Sequence, residues 1–512
     1  MLTIGIKKIN LQDFYEILIN NTPLELSNEA IVEMQASFNF LSEISTQKVV
    51  YGVNTGLGPM AQYKIDEGEQ LQLQYNLIRS HASGSGKPLS PIQVKSAMIC
   101  RLNTIIQAKS GIHPDAVKVL IEMINKNVTP LIPSHGGVGA SGDLVQLAHL
   151  ALVMIGEGEV FYQDQRRPTK EVFAELQISP LEVKLREGLG LINGTSVMSG
   201  IGMLNLIDSW KLINWSVMMS SLINELVGSF SDHFSEALNE VKHHIGQQRI
   251  ATAMRNILVD SHLIRNRCDF QFENEIKDNV YLQKIQEYYS LRCVPQILGP
   301  IFDTIKSAES VLNHEVNSVS DNPVIDYKRK KVFHGGNFHG DYVALEMDKL
   351  KLAITKMSML AERQINYLMN EKLNNILPPF VNLGKLGLNL GMQGVQFTAT
   401  STVAENQSLS TSLYIHSIPN NNDNQDIVSM GTNAALSASR IIENTFEVFS
   451  IELLTLVQAI DFLKIQNQLS TNSLNIYNEV RAIVPTFAAD TSKYQELAAI
   501  NAYIRSKSQH NI

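Results

Sequence analysis

The chain has 512 residues, of which 44% are apolar and 18% charged, and its formal net charge is −8. This length allows two to four domains with enough apolar surface for independent folding. The acidic balance argues against nucleic acid or an anionic membrane surface as the main partner, and without a run of 18 apolar residues no membrane-spanning helix is expected.

The N-terminal stretch MLTIGIKKINLQDFYE lacks an apolar segment followed by a small-residue cleavage site, so no signal peptide is expected. The first 200 residues are richer in Gly and Pro, with loop signals at Asn54–Pro59, Ala82–Pro91, Pro130–Gly142 and Asn193–Thr195. This predicts a smaller N-terminal domain of helices and loops, 1–200, followed by a helical-bundle domain, 201–512. The second part opens on Met203–Val227, which contains neither Gly nor Pro, and Thr432–Val484 is equally free of both. Between them Val343, Met347, Leu350, Ile354, Met357, Ala361, Ile365 and Leu368 step by four or three, a helical stripe. Leu345, Leu352, Met359 and Leu360 lie on its other faces, so the helix is expected to be buried on more than one side. The fold class read from this pattern is mainly α, a long central bundle with extensive subunit packing. Cys100, Cys268 and Cys293 are far apart and form no CxxC pair, which points to reduced thiols and a cytoplasmic location. No metal site is expected: His243 and His244 are adjacent and read as a solvated pair.

The segment GVGASGDLVQLAHLA, Gly137–Ala151, places three glycines in six residues around Ser141. Glycine costs backbone entropy, so such a run needs a reason. Gly137, Gly139 and Gly142 match GxGxxG, but the preceding Pro130–His135 stretch cannot be a central strand, and no ribose-binding acid follows at the right distance. A GxSxG nucleophile elbow would need glycine where Asp143 stands. A glycine loop capping a helix, with Asp143 near the N-cap, is a plain structural alternative. A third reading is chemical. In a sharply bent backbone the Gly142 nitrogen can attack the Ala140 carbonyl, and loss of water, including the Ser141 hydroxyl, leaves an electrophilic ring with an exocyclic methylene. Three residues alone do not decide among these.

The segment GGVGASGDLVQLAHLALVMIGEGE resembles the prosthetic-group region of the aromatic amino acid ammonia-lyases, the histidine, phenylalanine and tyrosine lyases. The likeness continues through YGVNTGLG (51–58), NLIRSHASGSG (76–86), LINGTSV (191–197), IQEYYSLRCVPQILG (285–299), SDNP (320–323), GGNFHG (335–340) and NNDNQDIVSMG (421–431), and is nearest to bacterial tyrosine ammonia-lyases. It implies a 4-methylidene-imidazol-5-one (MIO), formed autocatalytically from Ala140, Ser141 and Gly142, with no external cofactor. It also implies Tyr51 as the base that takes the β-proton, helped by an electropositive surrounding, and Tyr289 as a second catalytic tyrosine from another subunit. Asn193 and Gln286 are implied beside the prosthetic group, Arg292 on the substrate carboxylate, and Gly58 and Phe338 among the substrate-binding positions. The implied assembly is a homotetramer whose sites draw on three subunits.

Ser80-His81 occupies the family's selectivity pair. His81 could hydrogen-bond a phenol or an imidazole but would be left unpaired by a phenyl ring. Gln425 stands where histidine lyases carry Glu. Together these favour L-tyrosine, giving trans-p-coumarate and ammonia, over histidine, giving urocanate. An MIO-dependent aminomutase is the further alternative, separated from a lyase by how long the product stays sealed under the Tyr51 loop.

Overall fold

The computed structural model describes residues 1–269, 279–280 and 284–507. It is mainly α, as expected, with long helices at Ser196–Leu226, Val294–Val316, Asp341–Met369 and Gly431–Leu463. Among the described residues, no helix is long and apolar enough to cross a membrane.

Two compact units emerge, neither continuous in sequence. The first comprises Met1–Ile207, Ala308–Asp348 and Ser412–Ala438; the second comprises Asp208–Ser307, Lys349–Thr411 and Ser439–Ile512. All of the expected N-terminal domain, 1–200, falls in the first unit, which also recruits 308–348 and 412–438.

Local chemistry accounts for the helix starts in the first unit. Ser90 and Gln93 form a capping box ahead of Pro91–Ile105, with Pro91 where its missing N–H costs nothing. Asn10 and Asp13 do the same for Leu11–Leu18. Three helices then pack mutually: Gln70–His81, Leu144–Met154 and Glu187–Ile192. One carries Ser80 and His81, one follows Gly142, and one precedes Asn193, so their packing brings three distant loops together.

Strands are short. Pro133–His135 pairs with Ser85–Pro88, and Thr129–Pro130 forms the edge of a three-stranded sheet with Glu159–Tyr162 and Gln165–Pro168. Prolines confine the 130–135 stretch to such edges, and the strand directly before the glycine segment, Pro133–His135, runs antiparallel to its partner.

The Asp341–Met369 helix buries its whole predicted stripe, from Val343 to Leu368. Its other faces are mixed: Leu360 is buried, while Leu345 and Leu352 are 41% and 59% exposed in the single chain. The gap-free stretch Thr432–Val484 is not one helix. Lys464 adopts a left-handed φ of +56° after Leu463, and Ser470 starts a new helix, Thr471–Ile483, by accepting the Ser473 N–H at 3.3 Å. Buried Glu225 accepts the Ser470 N–H and so stabilises the break from the second unit's own core.

Candidate active site

A cavity of about 460 Å³ in the first unit is lined by Tyr51, Gly58, Ser80, His81, Ser141, Asn193 and Gln425. Seven expected site residues, spread over 375 positions, thus share one wall system. Leu57, Tyr63, Leu77, Leu144, Leu189, Asn421 and Asn424 complete much of it.

The glycine segment is held from both sides. Gly142 has φ +70°, and a Cβ there would stand 2.0 Å from the Gly194 carbonyl oxygen. The Asp143 N–H donates to that same oxygen at 2.8 Å. Gly139, at φ +76°, would place a Cβ 2.0 Å from Ser429 Oγ, which donates to the Gly139 carbonyl at 3.0 Å. These glycines answer to close backbone approach, not to phosphate binding.

Asp143 sits at the N-cap of Leu144–Met154, but its side chain does not cap that helix. Its carboxylate instead accepts the N–H groups of Val197 and Met198, at 2.8 and 2.9 Å, on the first turn of Ser196–Leu226. Thr432 donates to its other oxygen. Full burial outweighs these bonds and pushes the carboxyl up to about 6.

Asn193 is 4% exposed, and its Oδ1 has no partner among the described residues. Its backbone carbonyl accepts from Arg101 at 2.8 Å; the same guanidinium donates to the Gly190 carbonyl at 2.6 Å. Burial lowers Arg101 to about 10, still charged at neutral pH. Gln425 Nε2 donates to Ser141 Oγ at 2.9 Å.

The Tyr51 hydroxyl oxygen accepts the Gly58 N–H at 2.9 Å. Gly58 has φ +54° and packs so tightly on Asn421 that a Cβ would lie 2.9 Å from its Nδ2. His81 Nδ1 lies 3.1 Å from the Leu77 carbonyl and 3.1 Å from Ser80 Oγ. A carbonyl only accepts, so Nδ1 carries the proton and Nε2 of the neutral ring is an acceptor. Burial lowers the His81 pKa and so favours that neutral ring.

Not every expected residue enters this cavity. Ala140 and Gly142 are buried behind Ser141. Phe338 is half-buried on the loop after Phe333 and does not line the cavity. Gln286 and Tyr289 line a different cavity of about 690 Å³, in the second unit, with Lys284, Glu287 and Tyr367. There Arg292 donates to Gln286 Oε1, and its guanidinium lies 4.8 Å from the centre of the Tyr289 ring, which is 70% exposed. The short Tyr289–Arg292 helix is anchored by Asn224 on the Leu291 carbonyl, 3.2 Å, and Gln364 on that of Ser290, 2.8 Å. His243 and His244 are both exposed, and no metal-holding group of His, Cys, Asp or Glu occurs among the described residues.

Residues 9–482 match the family model described as aromatic amino acid lyase. The chain belongs to the aromatic amino acid lyase family. Tyrosine 2,3-aminomutase of Myxococcus sp. (strain Mx-B0) is 38% identical over 460 residues, covering 88% of this chain and 87% of the relative. Histidine ammonia-lyase of Caldanaerobacter subterraneus subsp. tengcongensis is 39% identical over 495 residues, covering 97% and 93%. The X-ray structure of tyrosine aminomutase from Streptomyces globisporus superposes with a TM-score of 0.95 at 32% identity, covering 99% of this chain and 97% of that one. As a family member the chain is a carbon–nitrogen lyase, an enzyme of MIO-dependent aromatic amino acid deamination.

The residues present fit that prosthetic group. Gly142 cannot carry a side chain where it stands, and Asn193 directs an unpartnered amide oxygen into buried surroundings beside the segment. Sequence reasoning missed Gln74, Arg101, Leu189 and Asn421. For Gln74 a signal existed: with Leu77, Ile78 and His81 it forms an i, i+3, i+4, i+7 stripe, and a polar residue in a buried stripe asks for buried partners.

Proposed function

We propose that this lyase acts on L-tyrosine, releasing ammonia and trans-p-coumarate. The observation that carries the reading is the His81 ring. With its Nδ1 proton directed at the Leu77 carbonyl, Nε2 offers an acceptor, and a phenol hydroxyl is a donor. A phenyl ring leaves Nε2 unpaired. Gln425 offers an amide where pairing with imidazolium would call for a carboxylate, which weighs against histidine.

The electrophilic ring made from Ala140, Ser141 and Gly142 supplies a group that takes up the amine and makes it a better leaving group. Its formation releases two waters, one when the Gly142 nitrogen bonds the Ala140 carbonyl carbon and one from the Ser141 side chain. Asn193 holds polar surface beside the ring. Tyr51, its oxygen held by the Gly58 N–H, removes the β-proton. Among the described residues, the cavity around Tyr51 and His81 has no lysine or arginine in its lining, whereas a substrate carboxylate calls for a guanidinium. We therefore assign that role to Arg292 of a second copy of this chain, with Tyr289 and Gln286, in a homotetramer.

A 2,3-aminomutase is the second reading. It is favoured by the tight Gly58–Asn421 packing, which would keep the product sealed under the Tyr51 turn for re-addition of the amine. The experiment is chromatographic detection of products from tyrosine, histidine and phenylalanine supplied separately. Coumarate from tyrosine supports the lyase; β-tyrosine as the main product replaces it with the mutase; urocanate as the main product ends the tyrosine assignment.

A further inference from the structure

Gln74 lies on the inward stripe of the Gln70–His81 helix, seven residues before His81, and has no solvent exposure. Its Nε2 donates to the Gly52 carbonyl at 2.9 Å, and its Oε1 accepts the Leu189 N–H at 3.1 Å. These partners fix the amide's orientation, because a carbonyl can only accept and an N–H can only donate. Close approach reinforces the joint. A Cβ at Gly188 would stand 2.6 Å from the Gln74 carbonyl oxygen, and one at Gly52 would stand 2.4 Å from Leu189 Cδ2.

The two bonds reach the two ends of the chemistry. Gly52 follows Tyr51 directly. Leu189 lines the cavity, and its carbonyl accepts the Asn193 N–H at 3.0 Å. Gln74's own helix carries Ser80 and His81. We propose that Gln74 is a positioning residue for the reaction: its side-chain amide sets the spacing between the turn bearing Tyr51 and the helix that ends at Asn193. The proposal rests on the roles given above to Tyr51 and Asn193.

Few side chains can replace it. Leucine would leave the Gly52 carbonyl and the Leu189 N–H buried without partners. An ionised carboxylate would serve Leu189 but face the Gly52 carbonyl with like charge; a protonated one would donate again. Burial favours the protonated form, so the defect of a Gln74→Glu enzyme should be repaired as pH falls.

The test compares full-length parent, Gln74→Leu and Gln74→Glu in three measurements. Intact mass reports the two lost waters. Kinetics are followed across pH with whichever of the three amino acids the parent turns over. Hydrogen–deuterium exchange is read on peptides covering 50–58 and 186–194. We expect the mass loss in all three proteins. In Gln74→Leu, kcat should fall by about 10²-fold while KM changes little, the scale set by small misplacement of a reacting group. Gln74→Glu should be as slow at high pH and recover at low pH, a limb absent from parent and Gln74→Leu. Exchange in Gln74→Leu should rise in both peptides together. A Gln74→Glu profile parallel to the parent's, or a Gln74→Leu kcat equal to the parent's, overturns the proposal. Should the parent turn over none of the three substrates, the functional reading fails while the exchange arm still decides: unchanged exchange in either peptide refutes the coupling.

Discussion

The proton on the His81 ring is placed by its own helix, because the Leu77 carbonyl one turn back can only accept. Selectivity at this position is therefore a matter of what meets Nε2. His81→Phe should lower kcat/KM for tyrosine and raise it for phenylalanine, removing an acceptor and adding apolar wall. A site built around a hydroxyl can discriminate by up to ~10⁴-fold, and partial exposure of His81 makes a smaller switch the expectation. Steady-state kinetics on both amino acids decide it; an unchanged ratio would show that His81 does not read the ring substituent. Gln425 makes a second contact that matters, with Ser141 Oγ. That oxygen leaves as water when the ring forms, so in the mature enzyme Gln425→Glu acts by gaining a partner for imidazolium, and histidine turnover should rise relative to tyrosine in the same assay.

At the scale of elements, the 137–143 segment is shaped by what lies against it. Gly142→Ala would set a methyl group 2.0 Å from the Gly194 oxygen at a φ of +70°, a conformation and a contact both closed to alanine. The expected protein keeps its helices by circular dichroism, shows an intact mass without the loss of two waters, and loses activity. A Gly142→Ala protein that still loses both waters would show that the approach to Gly194 does not govern ring formation. Much of this region could be read in advance. The glycine density, Ser141 and the bar on a central strand at Pro130–Pro133 are local properties. What Asp143 does was not local: it looks like the cap of its own helix, yet it accepts from Val197 and Met198 54 and 55 residues on. Its partner helix arrives only through tertiary packing.

Across the whole molecule, two consequences can be measured. His81, His149 and His233 are each held below the ordinary histidine value chiefly by burial, His233 at about 4. Each is neutral in the fold, so below about pH 6.5 the unfolded chain binds more protons than the folded one. Their contribution to stability is present above that pH and is lost as pH falls through the folded values. For His233, with Nδ1 buried and unpartnered among the described residues, the effect is on the order of 3 kcal/mol. Thermal melts from pH 7 to 4 should fall steeply for the parent and less steeply for His233→Gln; equal slopes would remove His233 from the account. The second consequence follows from the proposed sharing of sites between copies. Tyr51→Phe and Arg292→Met should each be inactive alone, but co-expressed they should regain activity in about a quarter of sites, since each site needs an intact residue from two different copies. No recovery would place both residues of a site in one chain. Sedimentation should give four times 57.0 kDa.

Composition and period by themselves determined the mainly helical class and the buried stripe from Val343 to Leu368, because both depend on spacing along one helix. The ordered motifs from Tyr51 to Gly431 likewise determined the family and named seven of the residues that line the cavity. Tertiary structure alone decided which of those residues meet. His81, Ser141 and Asn193 converge because three short helices pack mutually, and Tyr51 and Gln425 line the same cavity, while Tyr289 lines a second cavity with Arg292 beside its ring, and Phe338 joins neither. The break at Lys464 was equally hidden. No glycine or proline marks it, and the new helix begins where buried Glu225 accepts the Ser470 N–H 245 residues away. A side chain's partners across the fold carry no period in the sequence, and hydrogen bonds to buried backbone, such as those of Gln74 and Arg101, exist only once the elements have been brought together.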